Sequence, residues 1–202
     1  MHGMQPVKSN INPSRSTRKS GMQNFAHPGR NVSAFEIKPG MAIADFGSGS
    51  GAYVLAIGEA LRGMGHVYAI DVQRDLLSRV KNESARMGYK NVEVIWGDVE
   101  RLYGSKLADD SIDIVLISNL LFQLSDKPSA LLEANRVLKP GGRLAVIDWA
   151  DSFRGMGPTQ RDVVAKEKAN SLAYDAGFEF VREFPAGAHH YGLIYKKVNQ
   201  SI

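Results

Sequence analysis

The sequence predicts a doubly wound α/β fold, in which helices cover both faces of a mostly parallel β-sheet. Short apolar runs alternate with stretches whose apolar residues recur at helical spacing, an order typical of right-handed crossovers between parallel strands. A glycine-rich stretch directly follows the first apolar run, and acidic residues end several runs. Ligands bind at that edge of an open parallel sheet, so the same pattern also predicts a binding site there.

The first half of the chain carries three predicted strands and two helices. The first strand spans 41–46, and the glycine-rich stretch after it leads into a helix over about 51–61. A second strand follows at 66–71. Apolar residues at helical spacing within 76–87 then predict a helix that ends at a glycine. The third strand spans 92–96.

The second half of the chain continues the alternation and then closes with a strand pair. The run at 112–117 is apolar enough to be a central strand covered on both faces. The later predicted elements are, in order, a helix from 126 to 138 that ends at Pro140-Gly141-Gly142, a strand at 143–148, a helix at about 165–176, and strands at 178–184 and 191–197. The connection at 185–188 is too short for a crossover helix, so the last two strands are expected to be antiparallel.

The positive charge of the chain is concentrated at its beginning. The net charge is +4, but residues 1–30 contain five Lys and Arg and no Asp or Glu, which leaves −1 for the rest. We therefore expect a basic flexible tail at 1–24 and one domain at 25–202. The alternative is a tail that attracts nucleic acid or another anionic partner.

Composition also limits the classes of function. The 202 residues include no cysteine, which excludes disulfides, thiolate metal sites and a catalytic thiol. No apolar run approaches the ~18 residues of a membrane-spanning helix, and no secretory signal is evident at the start. A cytoplasmic location is therefore expected.

The glycine-rich stretch, Asp45-Phe46-Gly47-Ser48-Gly49-Ser50-Gly51, is the strongest local signal. Its glycines permit a sharp turn and close approach of a ligand to the backbone, and the following helix begins with free N–H groups. With Ala52 it also fits the G-x-G-x-x-A pattern of dinucleotide folds. Asp45 would repel a diphosphate and suits a cationic ligand instead, although a capping or turn aspartate is the alternative interpretation.

Two further acids end predicted strands. Asp71 ends the second strand, where a carboxylate can accept hydrogen bonds from ribose hydroxyls, or can simply cap the next helix, with Asp75 as a competing cap. Gly97-Asp98-Val99 follows the third strand, where the acid can accept from an adenine amino group while Val99 packs on the ring. An aspartate in a turn is common at such a position, so Asp98 alone is weak evidence for a binding site. The placement of Asp45, Asp71 and Asp98 at the ends of three neighbouring strands is more specific evidence.

These motifs, together with Leu138-Lys-Pro-Gly-Gly-Arg-Leu144, resemble the class I, Rossmann-like S-adenosylmethionine-dependent methyltransferases, particularly the small enzymes of quinone biosynthesis. The resemblance runs from about Gly40 to Lys197. It implies S-adenosyl-L-methionine as the cofactor and a seven-stranded sheet of order 3-2-1-4-5-7-6 with the last strand antiparallel. The cofactor-binding residues it implies, together with those argued above, are Asp45, Phe46, Gly47, Ser48, Gly49, Gly51, Tyr53, Asp71, Val72, Gly97, Asp98, Val99, Asn119 and Leu120.

Sequence differences from related methyltransferase families limit the class of methyl acceptor. Asn119-Leu-Leu-Phe122 lacks the prolines found after the fourth strand in methyltransferases that act on base amines. The residue set of ribose methyltransferases is not evident, and arsenic methyltransferases use cysteines, which are absent. A small-molecule acceptor is expected, and a protein or RNA acceptor bound through the basic tail is the alternative. A non-catalytic nucleotide-binding module and a nicotinamide-dependent reductase are the other candidates.

The candidate catalytic residues are Asp148 and His190. Asp148 ends the fifth strand, where it can orient or deprotonate an acceptor or serve only as a structural acid. His189 and His190 open the last strand, which brings them to the same edge only if that strand is antiparallel. No residue spacing indicates a metal site. The segment 25–31 is a candidate lid, with a passive loop as the default.

Overall fold

A computed structural model describes residues 26–198, and these residues form a seven-stranded sheet with the order β3-β2-β1-β4-β5-β7-β6. The strands are β1 Ala42–Phe46, β2 His66–Asp71, β3 Val92–Trp96, β4 Ile112–Ser118, β5 Leu138–Trp149, β6 Phe178–Pro185 and β7 His190–Lys197. Strand β7 pairs antiparallel with both β5 and β6, and the other pairs are parallel. The predicted fold class and strand order are confirmed. The predicted basic tail and Phe25 lie outside the described residues.

Helices cover both faces of this sheet. The helices are α1 Pro28–Asn31, α2 Ala52–Leu61, α3 Arg74–Arg86, α4 Lys127–Val137 and α5 Lys166–Asp175, with 3-10 helices at Val32–Phe35 and Leu121–Gln123. Apolar residues of α4 and α5 form one buried cluster, and those of α2 and α3 form the other. Strand β4 contributes Ile117 to the first cluster and Leu116 to the second, because successive side chains of a strand point to opposite faces.

The start of β5 differs from the prediction. Helix α4 ends at Val137, and β5 already begins at Leu138, so Pro140-Gly141-Gly142 lies within the strand rather than at a helix end. The pairing with β4 jumps from Leu138 to Arg143, and the intervening residues form an irregularity in the ladder. Gly141 has a φ of +74° there, a conformation that glycine adopts without the strain of a side chain.

The segment before β1 is a packed part of the domain. Asn31, at the end of α1, is buried, and its Nδ2 donates to the hydroxyl of Tyr53 at 2.9 Å and to the carbonyl of Ala186 at 2.9 Å. One side chain thus joins the leading segment, helix α2 and the β6–β7 connection. Within residues 26–198, no helix is long and apolar enough to cross a membrane.

Candidate cofactor site at the carboxyl edge

The parallel strands β1, β2, β3 and β4 all end at one edge of the sheet, and a cavity of about 240 Å³ lies there. Eight of the predicted cofactor-binding residues line it: Gly47, Gly49, Asp71, Val72, Gly97, Asp98, Val99 and Leu120. The cavity therefore sits where the sequence placed the ligand, between the glycine-rich loop, the ends of β2 and β3, and the segment after β4.

Asp71 connects the cavity to the glycine-rich loop. Its Oδ2 accepts a hydrogen bond from the Gly49 amide at 2.8 Å, and its Oδ1 accepts one from the Gln73 amide at 2.8 Å. A carboxylate has about four lone-pair positions, so each oxygen retains capacity for one more donor. The side chain can therefore hold the loop and a diol at the same time.

The amides at the start of the glycine-rich loop are already used within the protein. The N–H groups of Gly47 and Ser48 both donate to the Ile70 carbonyl, at 2.8 and 3.0 Å. A diphosphate site needs such amides to point at the ligand. With the Gly49 amide held by Asp71, this arrangement disfavours a dinucleotide.

The glycines of the loop have separate roles. A Cβ at Gly51 would lie 2.6 Å from Val80, and one at Gly47 would lie 2.7 Å from Leu120, so these two glycines permit close packing. A Cβ at Gly49 would meet nothing closer than 3.9 Å, although the residue lines the cavity. The space beside Gly49 is therefore part of the open cavity.

Six predicted cofactor-binding residues do not line the cavity, and their positions differ. Phe46 is fully buried in the core, and Gly51 packs under α3. Asp45 and Tyr53 are also buried, while Ser48 and Asn119 each hold one buried oxygen, Oγ and Oδ1, without a hydrogen-bond partner among the described residues. Such unpaired buried atoms call for an explanation, and a bound ligand supplies one.

Asp45 is 2% exposed at the end of β1. Burial, with repulsion from the Asp71 carboxylate as the second cause, raises the pKa of Asp45 to about 8. The sequence interpretation treated this acid as a fixed negative charge. With its pKa raised, the carboxyl is largely protonated at pH 7, and a cation beside it would favour its ionised form.

Loop residues after β3 form the far side of the cavity. Asp98 Oδ1 accepts from the Glu100 amide, and Oδ2 pairs with the Arg101 guanidinium at 3.0 Å. The loop is anchored by the buried Glu133, which accepts hydrogen bonds from the amides of Tyr103 and Ser105. Helix α4 thus holds the loop that carries Asp98 and Val99.

The two candidate catalytic residues are not brought together. Asp148 pairs with Tyr191 and Trp149 pairs with His190 across the β5–β7 ladder. Directly paired residues share a face and successive residues alternate, so Asp148 and His190 lie on opposite faces. The antiparallel β7 nevertheless brings His190 to the carboxyl edge of β5, as the sequence analysis required.

Asp148 faces the 3-10 helix at Leu121–Gln123. It is fully buried, and its Oδ1 accepts from the Trp149 amide at 2.8 Å. Burial raises the pKa of Asp148 to about 6, against the lowering effect of the Trp149, Phe122 and Leu121 N–H groups. Its Oδ2 has no hydrogen-bond partner of ordinary geometry among the described residues.

Sequence reasoning missed five residues that line the cavity: Ile70, Gln73, Glu100, Gln123 and Leu124. Gln123 and Leu124 belong to or follow a short 3-10 helix, which has no periodic sequence signal. Gln73 and Glu100 could have been predicted from their positions in the sequence, because each stands two residues after an acid already identified.

The sheet order, the acid-lined cavity and the internally satisfied glycine loop define a Rossmann-like α/β fold of the methyltransferase type. The cavity offers carboxylates and apolar walls rather than an anion cradle, which fits an adenosyl ligand with a positive charge. The chain belongs to the methyltransferase-domain family, whose profile matches residues 37–197.

Individual relatives agree with this membership. The chain is 31% identical over 182 residues to an arsenite methyltransferase of Aquipseudomonas alcaligenes, covering 87% of this chain and 50% of the relative. It is 32% identical over 114 residues to a ubiquinone/menaquinone biosynthesis C-methyltransferase of Vibrio parahaemolyticus, covering 56% and 43%. The chain thus spans about half the length of the curated relatives it matches.

Among solved structures, a SAM-dependent methyltransferase from Aquifex aeolicus has a TM-score of 0.79 and 29% sequence identity, covering 90% of this chain and 94% of that one. The resemblance to class I S-adenosylmethionine-dependent methyltransferases is therefore confirmed.

Proposed function

We propose that this chain binds S-adenosyl-L-methionine at the carboxyl edge and transfers its methyl group to a small-molecule acceptor. The observation that carries the proposal is the use of the Gly47 and Ser48 amides by the Ile70 carbonyl and of the Gly49 amide by Asp71. The loop then presents carboxylates, not anion-binding amides, to the cavity. That electrostatic character favours a cationic adenosyl ligand over a diphosphate.

Named residues have the chemistry to hold each part of the ligand. Asp71 has lone pairs for the ribose hydroxyls, and Asp98 has them for the adenine amino group. Val99 and Leu120 supply apolar contacts for the ring. Asp45, beneath the loop, would balance the charge of the ammonium at the amino-acid end, with Tyr53 beside it. The remaining predicted cofactor-binding residues would form the walls of the site or support the residues that line it.

S-adenosylmethionine, when bound, supplies a methyl group on a sulfonium, which is already a good leaving group. Orientation of the acceptor and exclusion of water are then the main tasks of the protein. Asp148 and His190 stay the candidate residues for contact with the acceptor. A general base is required only where the acceptor loses a proton.

For the methyl acceptor, the proposal specifies only a class, a small molecule. The relatives above are named for arsenite and for ubiquinone/menaquinone biosynthesis, and small molecules are common to both names. A protein or RNA acceptor depends on the basic residues at 1–24, and removing them would test it: unchanged RNA affinity would exclude that role. A cytoplasmic location is part of the proposal.

Calorimetric titration with S-adenosylhomocysteine and with NAD tests the cofactor. We expect binding of S-adenosylhomocysteine and no comparable binding of NAD. The reverse result would overturn the proposal. A radiolabelled methyl-transfer screen against extract fractions of small molecules, protein and RNA then tests the acceptor class, and label confined to the small-molecule fraction is expected.

A further inference from the structure

Two apolar side chains at the carboxyl edge are exposed to solvent. Val72 is 58% exposed and lines the cavity, and Trp96, which ends β3 directly before the cavity residue Gly97, is 50% exposed. Large apolar residues are usually buried, and exposed ones that adjoin each other can mark a binding surface. Val72 has a place in the cavity wall, whereas Trp96 does not line the cavity and needs a separate explanation.

The indole of Trp96 binds the main chain of Val72. Its Nε1 donates a hydrogen bond to the Val72 carbonyl at 3.1 Å, and no other residue that the structure describes donates to that carbonyl. Val72 lies between the end of β2 and Gln73, the residue that precedes α3. Neither a strand ladder nor a helix holds its carbonyl, so the indole N–H fixes this point of the chain.

Two cations keep the indole in place. The guanidinium carbon of Arg74, the first residue of α3, lies 3.9 Å from the ring centroid of Trp96, and Lys106 Nζ lies 5.1 Å from it. A cation above the face of an indole is attracted by the electrons of the ring. This contact restricts rotation of the ring, so the Nε1 hydrogen stays directed at Val72.

The connection between β2 and α3 is thus fixed on both sides of Val72. Before it, the Asp71 carbonyl accepts from the Gly97 amide at 3.2 Å, and after it, the Gln73 amide donates to Asp71 Oδ1 at 2.8 Å. The hydrogen bond from Trp96 supplies the middle point. A wall residue that is already ordered binds a ligand more tightly, because little conformational freedom is lost on binding.

We propose that Trp96 is a positioning residue for the cofactor, because it holds Val72 in the orientation that contacts the adenosyl group. Val72 adjoins Asp71, to which the ribose hydroxyls are assigned, so its side chain meets the same part of the ligand. Ligand binding then covers an apolar side chain that water contacts in the free protein. This inference rests on the proposed function and names a residue that sets the affinity of that site without touching the ligand.

A double-mutant cycle, measured by calorimetric titration of the full chain with S-adenosylhomocysteine, tests this role. Trp96→Phe keeps an aromatic ring beside Arg74 but removes the N–H donor, and it should weaken binding about fivefold. Val72→Ala removes the wall itself and should also weaken binding about fivefold.

The two substitutions together distinguish positioning from an independent contact. If Trp96 acts through Val72, the double variant should bind about fivefold more weakly than the unmodified chain, the same loss as in Val72→Ala alone. Independent effects would multiply to about 25-fold. A merely structural role of Trp96 would lower the free energy of unfolding in urea without this dependence on Val72.

Phe180→Leu is the matched control, because Phe180 is a 49% exposed aromatic residue on β6, the strand at the other edge of the sheet. Its affinity for S-adenosylhomocysteine should equal that of the unmodified chain. Unchanged binding by Trp96→Phe, or losses that multiply in the double variant, would overturn the inference alone. Absence of binding by the unmodified chain would overturn the proposed function, and with it the inference that depends on it.

Discussion

Asp71 Oδ2 and the Gly49 amide are joined by a 2.8 Å hydrogen bond across the glycine-rich loop. The acid at the end of β2 therefore sets the conformation of the loop that follows β1. Ligand binding and loop geometry share one carboxylate, and its removal is expected to affect both.

Asp71→Ala should weaken binding of S-adenosylhomocysteine by about 1–3 kcal/mol, because it removes hydrogen bonds to a charged acceptor. Calorimetric titration measures the loss. Asp75→Ala is the control, since Asp75 is exposed in the first turn of α3. Unchanged affinity in Asp71→Ala would remove Asp71 from the site.

Gly49→Ala should fold but bind the ligand poorly. Gly49 has a φ of +52°, so alanine costs about 1–2 kcal/mol of stability, and its Cβ would occupy cavity space. Gly63→Ala is a matched control with a φ of +77° and open space around its Cβ. Denaturant unfolding should show similar losses for the two variants, and titration should show weaker binding for Gly49→Ala alone. Normal binding by both would show that the space beside Gly49 is not used.

Cofactor affinity should depend on pH through Asp45. Its pKa of about 8 is above the usual range, and the ammonium that S-adenosylhomocysteine shares with the cofactor is expected to bind the ionised form. Below pH 8, Asp45 is increasingly protonated in the free protein and must lose that proton when the ligand binds. The dissociation constant for S-adenosylhomocysteine should therefore rise by up to tenfold for each pH unit below 8. Titrations from pH 6 to 9, with Asp45→Asn as the comparison, measure this effect. Parallel pH profiles for the two proteins would contradict it.

Asp148→Asn should stabilise the protein at pH 8. The pKa of Asp148 is raised from 3.8 to about 6, so stability of the unmodified chain is lost as pH rises through 6. The neutral amide avoids that cost, a gain of up to about 3 kcal/mol. Below pH 4 the gain should vanish, because the acid is then protonated in both folded and unfolded chains.

Urea unfolding at pH 4, 6 and 8 checks this prediction, with the exposed Asp75→Asn as the control. If Asp148→Asn is less stable than the unmodified chain at pH 8, ionised Asp148 is a stabilising group and the prediction is wrong.

Local pattern was enough to predict most of the fold, because alternation of strands and helices and the short β6–β7 connection are visible along the chain. The start of β5 was misplaced, because Pro140-Gly141-Gly142 is a normal helix stop and only pairing with β4 makes it part of a strand. The 3-10 helix at Leu121–Gln123 was not predicted, because a helix this short has no periodic pattern in the sequence.

The positions of the site residues were predictable where a strand end carries them. Asp71, Asp98 and Gly49 meet at one cavity because parallel strands end at the same edge. Phe46 and Gly51 belong to the same motif but pack into the core, since motif membership does not specify the direction of a side chain.

The sequence by itself determined the α/β class, the glycine-rich loop and the three acids at strand ends, since these follow from periodicity and spacing along the chain. Tertiary structure decided that Asp45 titrates near neutral pH and that Asp148 and His190 lie on opposite faces. Both depend on burial and on the β5–β7 register, and these arise from contacts between residues far apart in the chain.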